Sequence, residues 1–196
     1  MRIFASLALL VATSGCVPVL ETPNGVDDWT WDPPENGWFL DAPPEGLVSE
    51  GFLPGEVIPD FRLVDQFGDE VSLWQFHTRI IVVDISTMWC GPCRELASEA
   101  EETFQAYASQ GLIYLTVLPE DLVGEPPTVE DLNLWVDEYD LTIPVVSDPE
   151  GGWSDPAVPQ GQYPIVLVVD RDLKVHDQVD PPSDANIRDA VEDLLD

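Results

Sequence analysis

The segment RIIVVDIST at residues 79–87 sets the terms for the fold. A run this rich in β-branched residues, without polar alternation, suits a strand buried on both faces, so other layers must cover it above and below. Helical spacing follows almost at once. In CRELASEAEETFQAYASQG, which begins at Cys93, Leu96, Ala100, Phe104 and Tyr107 share one face and Gly111 stands as a C-terminal stop. Downstream, LIYLTVL reads as a strand, TVEDLNLWVDEYD as a helix capped by Thr128, and IPVVS, YPIVLVVD and KVHDQV as strands. A last helix starts near Ser183 and carries Ile187, Ala190, Val191, Leu194 and Leu195 on one face. Upstream, FRLVDQFGDEVSLWQF places two short apolar stretches around a Gly-Asp turn, the pattern of a β-hairpin. Strands alternating with helices predict an α/β layered fold, and the closing pair of strands predicts a mixed sheet.

With 196 residues and 44% hydrophobic content, the protein can bury one sizeable core, so one domain with extensions is expected. The charge balance is extreme: 38 Asp plus Glu oppose 7 Lys plus Arg, and Lys174 is the only lysine. Such a surface repels phosphate backbones and anionic lipid headgroups, which argues against nucleic-acid binding and against a basic membrane patch. The charge otherwise serves solubility, or selects basic or neutral partners.

The N-terminus, MRIFASLALLVATSGC, has one positive charge at Arg2, an apolar run from Ile3 to Ala12 and small residues before Cys16. This fits a secretory signal and is too short to span a bilayer. Between Cys16 and about Leu53 the sequence is rich in Pro, Gly and acid and keeps no helical or strand period, so residues 17–52 are expected to form an irregular tether. A flexible segment of that length has an end-to-end distance of roughly 30 to 35 Å. Trp29, Trp31, Trp38 and Phe39 are unusual in a pure linker and are expected to dock on the domain or contact a partner.

Cys90 and Cys93 form a CxxC pair at the strand-to-helix junction, and Cys16 is the only other cysteine. A zinc site needs about four ligands, and only two distant histidines, His77 and His176, could join the pair, so no metal site is expected. A structural disulfide over two intervening residues closes a loop too small to stabilise much. A redox dithiol fits best, because unpaired N–H groups and the dipole at a helix start stabilise a thiolate on the first cysteine. The acidic cluster Glu95, Glu99, Glu101 and Glu102 partly opposes that effect. Arg94 is the one nearby positive charge and is expected to pair with an acidic neighbour at the surface.

VDISTMWCGPC, preceded by PGEVIPDFRLVDQFGDEVSL and by the export signal, resembles thioredoxin and, among thioredoxin relatives, the membrane-anchored TlpA/ResA-type thiol-disulfide oxidoreductases. The resemblance covers residues 53–196 and implies a thioredoxin-like fold, a central mixed β-sheet flanked by helices with an N-terminal β-hairpin extension. TSGC likewise resembles a bacterial lipobox, with Thr13 where that motif usually has Leu, which implies a signal peptide over residues 1–16, lipidation of Cys16 and a lipid anchor to a membrane of the cell envelope.

The resemblance implies that Cys90 attacks a substrate disulfide and that Cys93 resolves the mixed disulfide, so that the Cys90–Cys93 couple is the redox group and no other cofactor is needed. Asp84 stands where thioredoxin has its buried aspartate; a carboxyl in an apolar strand has a raised pKa and suits a proton acceptor for Cys93. Thioredoxin's lysine partner to that aspartate has no counterpart. Trp89 flanks the cysteines and Pro92 lies between them, both on the substrate side, and Tyr163-Pro164 matches the cis-proline loop that faces the dithiol and pairs with substrate backbone. Relatives often carry a proline where Ser98 stands. The Gly-Pro dipeptide resembles the reducing members, which implies an exported reductase of protein disulfides supplied by an upstream membrane electron donor. Two alternatives are a peroxiredoxin-like peroxidase, for which Thr87 stands in register but Val83 replaces the motif's proline, and a non-catalytic binding lipoprotein of the same fold.

Overall fold

The computed structural model describes residues 31–158 and 161–195. Cys16, Trp29 and the signal segment lie outside these residues. The predicted hairpin is present as β1 (Arg62–Asp65) and β2 (Glu70–Ser72), closed by Gly68, whose φ of +83° is the left-handed geometry a glycine adopts without steric cost. Then follow β3 (Ile80–Ile85), α1 (Gly91–Tyr107), β4 (Leu112–Leu118), α2 (Val129–Glu138), β5 (Val145–Ser147), β6 (Ile165–Val169), β7 (Val175–Val179) and α3 (Asp184–Glu192). They build one seven-stranded mixed sheet in the order β2-β1-β5-β4-β3-β6-β7. The pairs β3/β4 and β4/β5 are parallel and the others antiparallel. The hairpin therefore extends the sheet at the β5 side.

All six residues of β3 are buried, and their alternation explains the unbroken apolar run. Ile80, Val82, Tyr114, Val166 and Val168 face a layer made by α1, α2 and α3. Ile81, Val83, Ile85, Leu115, Leu167 and Val169 face the opposite way, against Val57, Ile58, Phe61, Trp74 and Trp153. Helix ends follow local chemistry: Thr128 and Asp131 bond reciprocally as a capping box on α2, and Ser183 Oγ accepts the Asn186 N–H at the start of α3.

The expected tether is irregular over residues 31–52, but it is docked. Trp31, Trp38, Phe39, Leu47 and Phe52 pack on the sheet face opposite α1, α2 and α3. The Trp38 indole N–H donates to Asp65 Oδ2 at 2.7 Å, the Gln75 amide donates to the Phe39 carbonyl at 2.9 Å, and the Arg79 guanidinium lies 3.7 Å above the Phe39 ring. Four large aromatics in a segment without a helix or strand cannot stay in water cheaply when an apolar sheet face is within reach. A free spacer length therefore does not apply to residues 31–52, and packing continues across the expected boundary between residues 52 and 53.

Candidate active site

Strand β3 ends under the start of α1, and the connection between them carries Thr87, Met88 and Trp89. Cys90 is the N-cap of α1, extended at φ −77° and ψ 124°, and its Sγ accepts the Cys93 N–H at 3.4 Å. Pro92 occupies the first helical turn, where its missing donor leaves no bond unmade. Both thiols are free. Cys90 is 6% exposed and Cys93 fully enclosed, so an incoming disulfide can reach Cys90 first.

Burial pushes the Cys93 thiol well up, and the sulfur of Cys90 and the carboxyl of Asp84 reinforce this, while the Thr87 N–H works against it. Asp84 itself is completely buried. Desolvation raises its pKa to about 7, opposed by the Ser86 hydroxyl, which donates to Oδ1 at 2.6 Å. Asp84 shares the face of Val82 and Ile80 that lies beneath α1, so its charge acts on Cys93. Thr116 is its direct neighbour in register on β4 and Tyr114 stands two pairs further back, on the same face; the hydroxyls of both are buried and unpaired among the described residues. A threonine therefore sits beside Asp84 in a protein that has no lysine for that place.

The Tyr163–Pro164 peptide is cis, as expected, and so is Asp180–Pro181. The Tyr163 carbonyl accepts the Cys90 thiol at 3.6 Å. Trp89 is 44% exposed, stands edge-on to the Tyr163 ring with centroids 6.2 Å apart, and donates its indole N–H to Glu120 at 2.6 Å. Trp89 and Tyr163 thus flank the Cys90 sulfur, with Pro92 exposed between the cysteines. Glu120 was not anticipated; its place just after the carboxyl end of β4, where the loops of the parallel strands converge, was the available signal.

Two expectations change. Arg94 makes no salt bridge among the described residues; Arg62 and Arg188 make those present. The acidic residues of α1 are partly engaged elsewhere: Glu101 accepts from the Thr142 N–H and hydroxyl, and Glu102 pairs with Arg188 at 3.4 Å. Ser98, in place of a helix-bending proline, donates to the Glu95 carbonyl.

Residues 54–178 match the AhpC/TSA family. The chain belongs to that family. It is similar to the thioredoxin-like protein YneN of Bacillus subtilis, with 26% identity over 127 residues, 65% of this chain and 71% of that one. It is also similar to the thiol-disulfide oxidoreductase ResA of Oceanobacillus iheyensis, with 29% identity over 107 residues, 52% of each chain. Among solved structures, the thioredoxin domain of a thiol-disulfide oxidoreductase from Bacteroides vulgatus superposes with a TM-score of 0.63 at 20% identity, covering 74% of this chain and all of that one. The fold is thioredoxin-like, with a central mixed sheet flanked by helices.

Proposed function

We propose that this oxidoreductase reduces disulfides of exported proteins through the Cys90–Cys93 dithiol, outside the cytoplasm and tethered to a membrane by lipid on Cys16. The observation that supports the chemistry best is the pair of thiols at the start of α1, Cys90 the more accessible and Cys93 above the buried carboxyl of Asp84. The Cys90 thiolate attacks one sulfur of the substrate disulfide, forms a mixed disulfide and releases the other sulfur as a thiolate. Cys93 then gives its proton to Asp84 and attacks the Cys90 sulfur, which frees the second substrate thiolate and closes the Cys90–Cys93 bond. Two electrons leave the protein dithiol for the substrate, so an upstream membrane dithiol donor must restore it. No bound cofactor is required, because the cysteine pair is the redox group. Trp89, Tyr163 and Pro164 form the walls against which the substrate backbone lies, and Pro92 holds the two sulfurs in register.

Reduction of a protein disulfide with dithiothreitol as electron supply tests the activity: turnover by the native protein, lost in Cys90→Ser, is expected, and equal rates for the two oppose it. Peroxide reduction is the second reading, favoured by Thr87, which is fully buried three residues before Cys90 with its hydroxyl unpaired among the described residues. Cys90-dependent peroxide consumption faster than disulfide reduction would select it.

A further inference from the structure

A pocket of about 300 Å3 opens on the α1–α2 side of the dithiol, apart from the Tyr163–Pro164 loop. Met88, two residues before Cys90, and Trp135 lie at its base; Tyr139, stacked edge-on to Trp135 at 4.7 Å, forms a wall with Leu122 and Leu134. Arg94, next to Cys93, and Glu138 supply its two charges.

Three features distinguish it from an ordinary surface dent. First, its rim is apolar and outward-facing: Leu122 and Leu134 are each 57% exposed, and Val123 beside them is 80% exposed. Isolated exposed leucines mean little, but a contiguous apolar rim around an apolar floor marks a contact surface. Second, the turn that carries Leu122 and Val123 is tied down. The Asp121 carboxylate accepts the N–H groups of Val123 and Glu125 at 2.8 and 2.9 Å, and the Asp121 N–H donates to the Glu125 carbonyl. The turn fixes the backbone that carries two apolar side chains exposed to water, a cost that contact with a partner removes. Third, Arg94 has no carboxylate partner among the described residues in a protein of formal net charge −31. A guanidinium and a carboxylate in one small pocket offer a donor and an acceptor, the pair of groups that a backbone carbonyl and a backbone N–H complement.

We propose that this pocket is a specificity subsite for a large apolar side chain adjacent to the reacting cysteine of the disulfide-bearing polypeptide, with the backbone of that segment held between Arg94 and Glu138. The inference rests on the oxidoreductase reading above. It adds the sequence preference of the substrate, namely an extended segment with a leucine- or phenylalanine-sized residue next to its cysteine.

Two disulfide peptides identical except for Phe or Ser beside the reacting cysteine test it, with kcat/KM measured for each on the full-length protein. The native protein is expected to favour the Phe peptide about tenfold, the discrimination a partly enclosed apolar pocket provides. The double variant Leu122→Ser, Leu134→Ser changes exposed residues only, and is expected to bring that ratio near one. Arg94→Gln is expected to lower both peptides alike. No preference in the native protein, or a preference that the double variant leaves intact, overturns the subsite. Failure to reduce either peptide is a separate outcome, which overturns the oxidoreductase reading and the subsite with it.

Discussion

The Cys90 thiol donates to the backbone carbonyl of Tyr163 across 3.6 Å, while its sulfur accepts the Cys93 N–H at 3.4 Å. One sulfur is thus held between the helix start and the loop opposite it, and the other lies behind it without solvent contact. Cys90→Ser is expected to abolish disulfide exchange. Cys93→Ser is expected to stall after the first step, leaving a mixed disulfide on Cys90 that intact-protein mass spectrometry detects. Accumulation of the adduct on the Cys90→Ser variant instead would reverse the assigned roles.

The resolving step should depend on Asp84. Its carboxyl titrates at about 7, so the rate of mixed-disulfide resolution is expected to rise with pH through that value and level off above it. In Asp84→Asn the limb disappears and the plateau falls about 10²-fold, the usual worth of a positioned base. Stopped-flow quench of the mixed disulfide between pH 5 and 9 measures both, and an unchanged profile in the variant removes Asp84 from the proton path.

The same group has a stability signature. In the unfolded state Asp84 ionises near the ordinary 3.8, whereas in the folded state it holds its proton to about 7. Between those values the folded state binds more protons than the unfolded one, so this group lowers stability as pH rises from about 4 to 7 and adds no further slope above that. Asp84→Asn is therefore expected to be more stable than the native protein at pH 8 by a few kcal/mol, with the advantage shrinking towards pH 4. Urea unfolding at the two pH values checks this, and a difference independent of pH contradicts the burial of an ionising carboxyl.

Trp38 ties the N-terminal strap to the hairpin. Its indole N–H satisfies Asp65 Oδ2 at 2.7 Å, and Asp65 is fully buried. Trp38→Phe keeps much of the ring but leaves that oxygen without this donor, and should cost about 1–3 kcal/mol in urea unfolding. Removal of residues 17–50 would likewise strip a packed layer, so a loss of activity on that deletion reports instability as well as any loss of a partner contact.

Most of the sheet was legible because its elements carry strong local signals: the β-branched run of β3, the Gly-Asp turn of the hairpin, and the caps Thr128 and Ser183. That Asp84, Cys90, Cys93 and Tyr163-Pro164 come together was legible for a different reason, a dense motif. Local reading could not show that Trp31, Trp38 and Phe39 cover one sheet face, since nothing in their own segment has a period. Nor could it find Thr116 beside Asp84, which depends on the β3/β4 register, or Glu120 against Trp89, which depends on two loop residues 31 apart in sequence meeting at one end of the sheet. Arg94 was misread because so many carboxylates nearby made an ion pair look inevitable, while α1 turns Glu101 and Glu102 towards Thr142 and Arg188.

The reduction potential of the Cys90–Cys93 pair tests the central claim most directly, by equilibrating the protein in dithiothreitol or glutathione buffers and trapping the thiols. A reversible two-electron couple close to thioredoxin's value of about −270 mV is the predicted result. A value near the −120 mV or so of a strong oxidant, or no reversible couple at all, would contradict a disulfide reductase built on this dithiol.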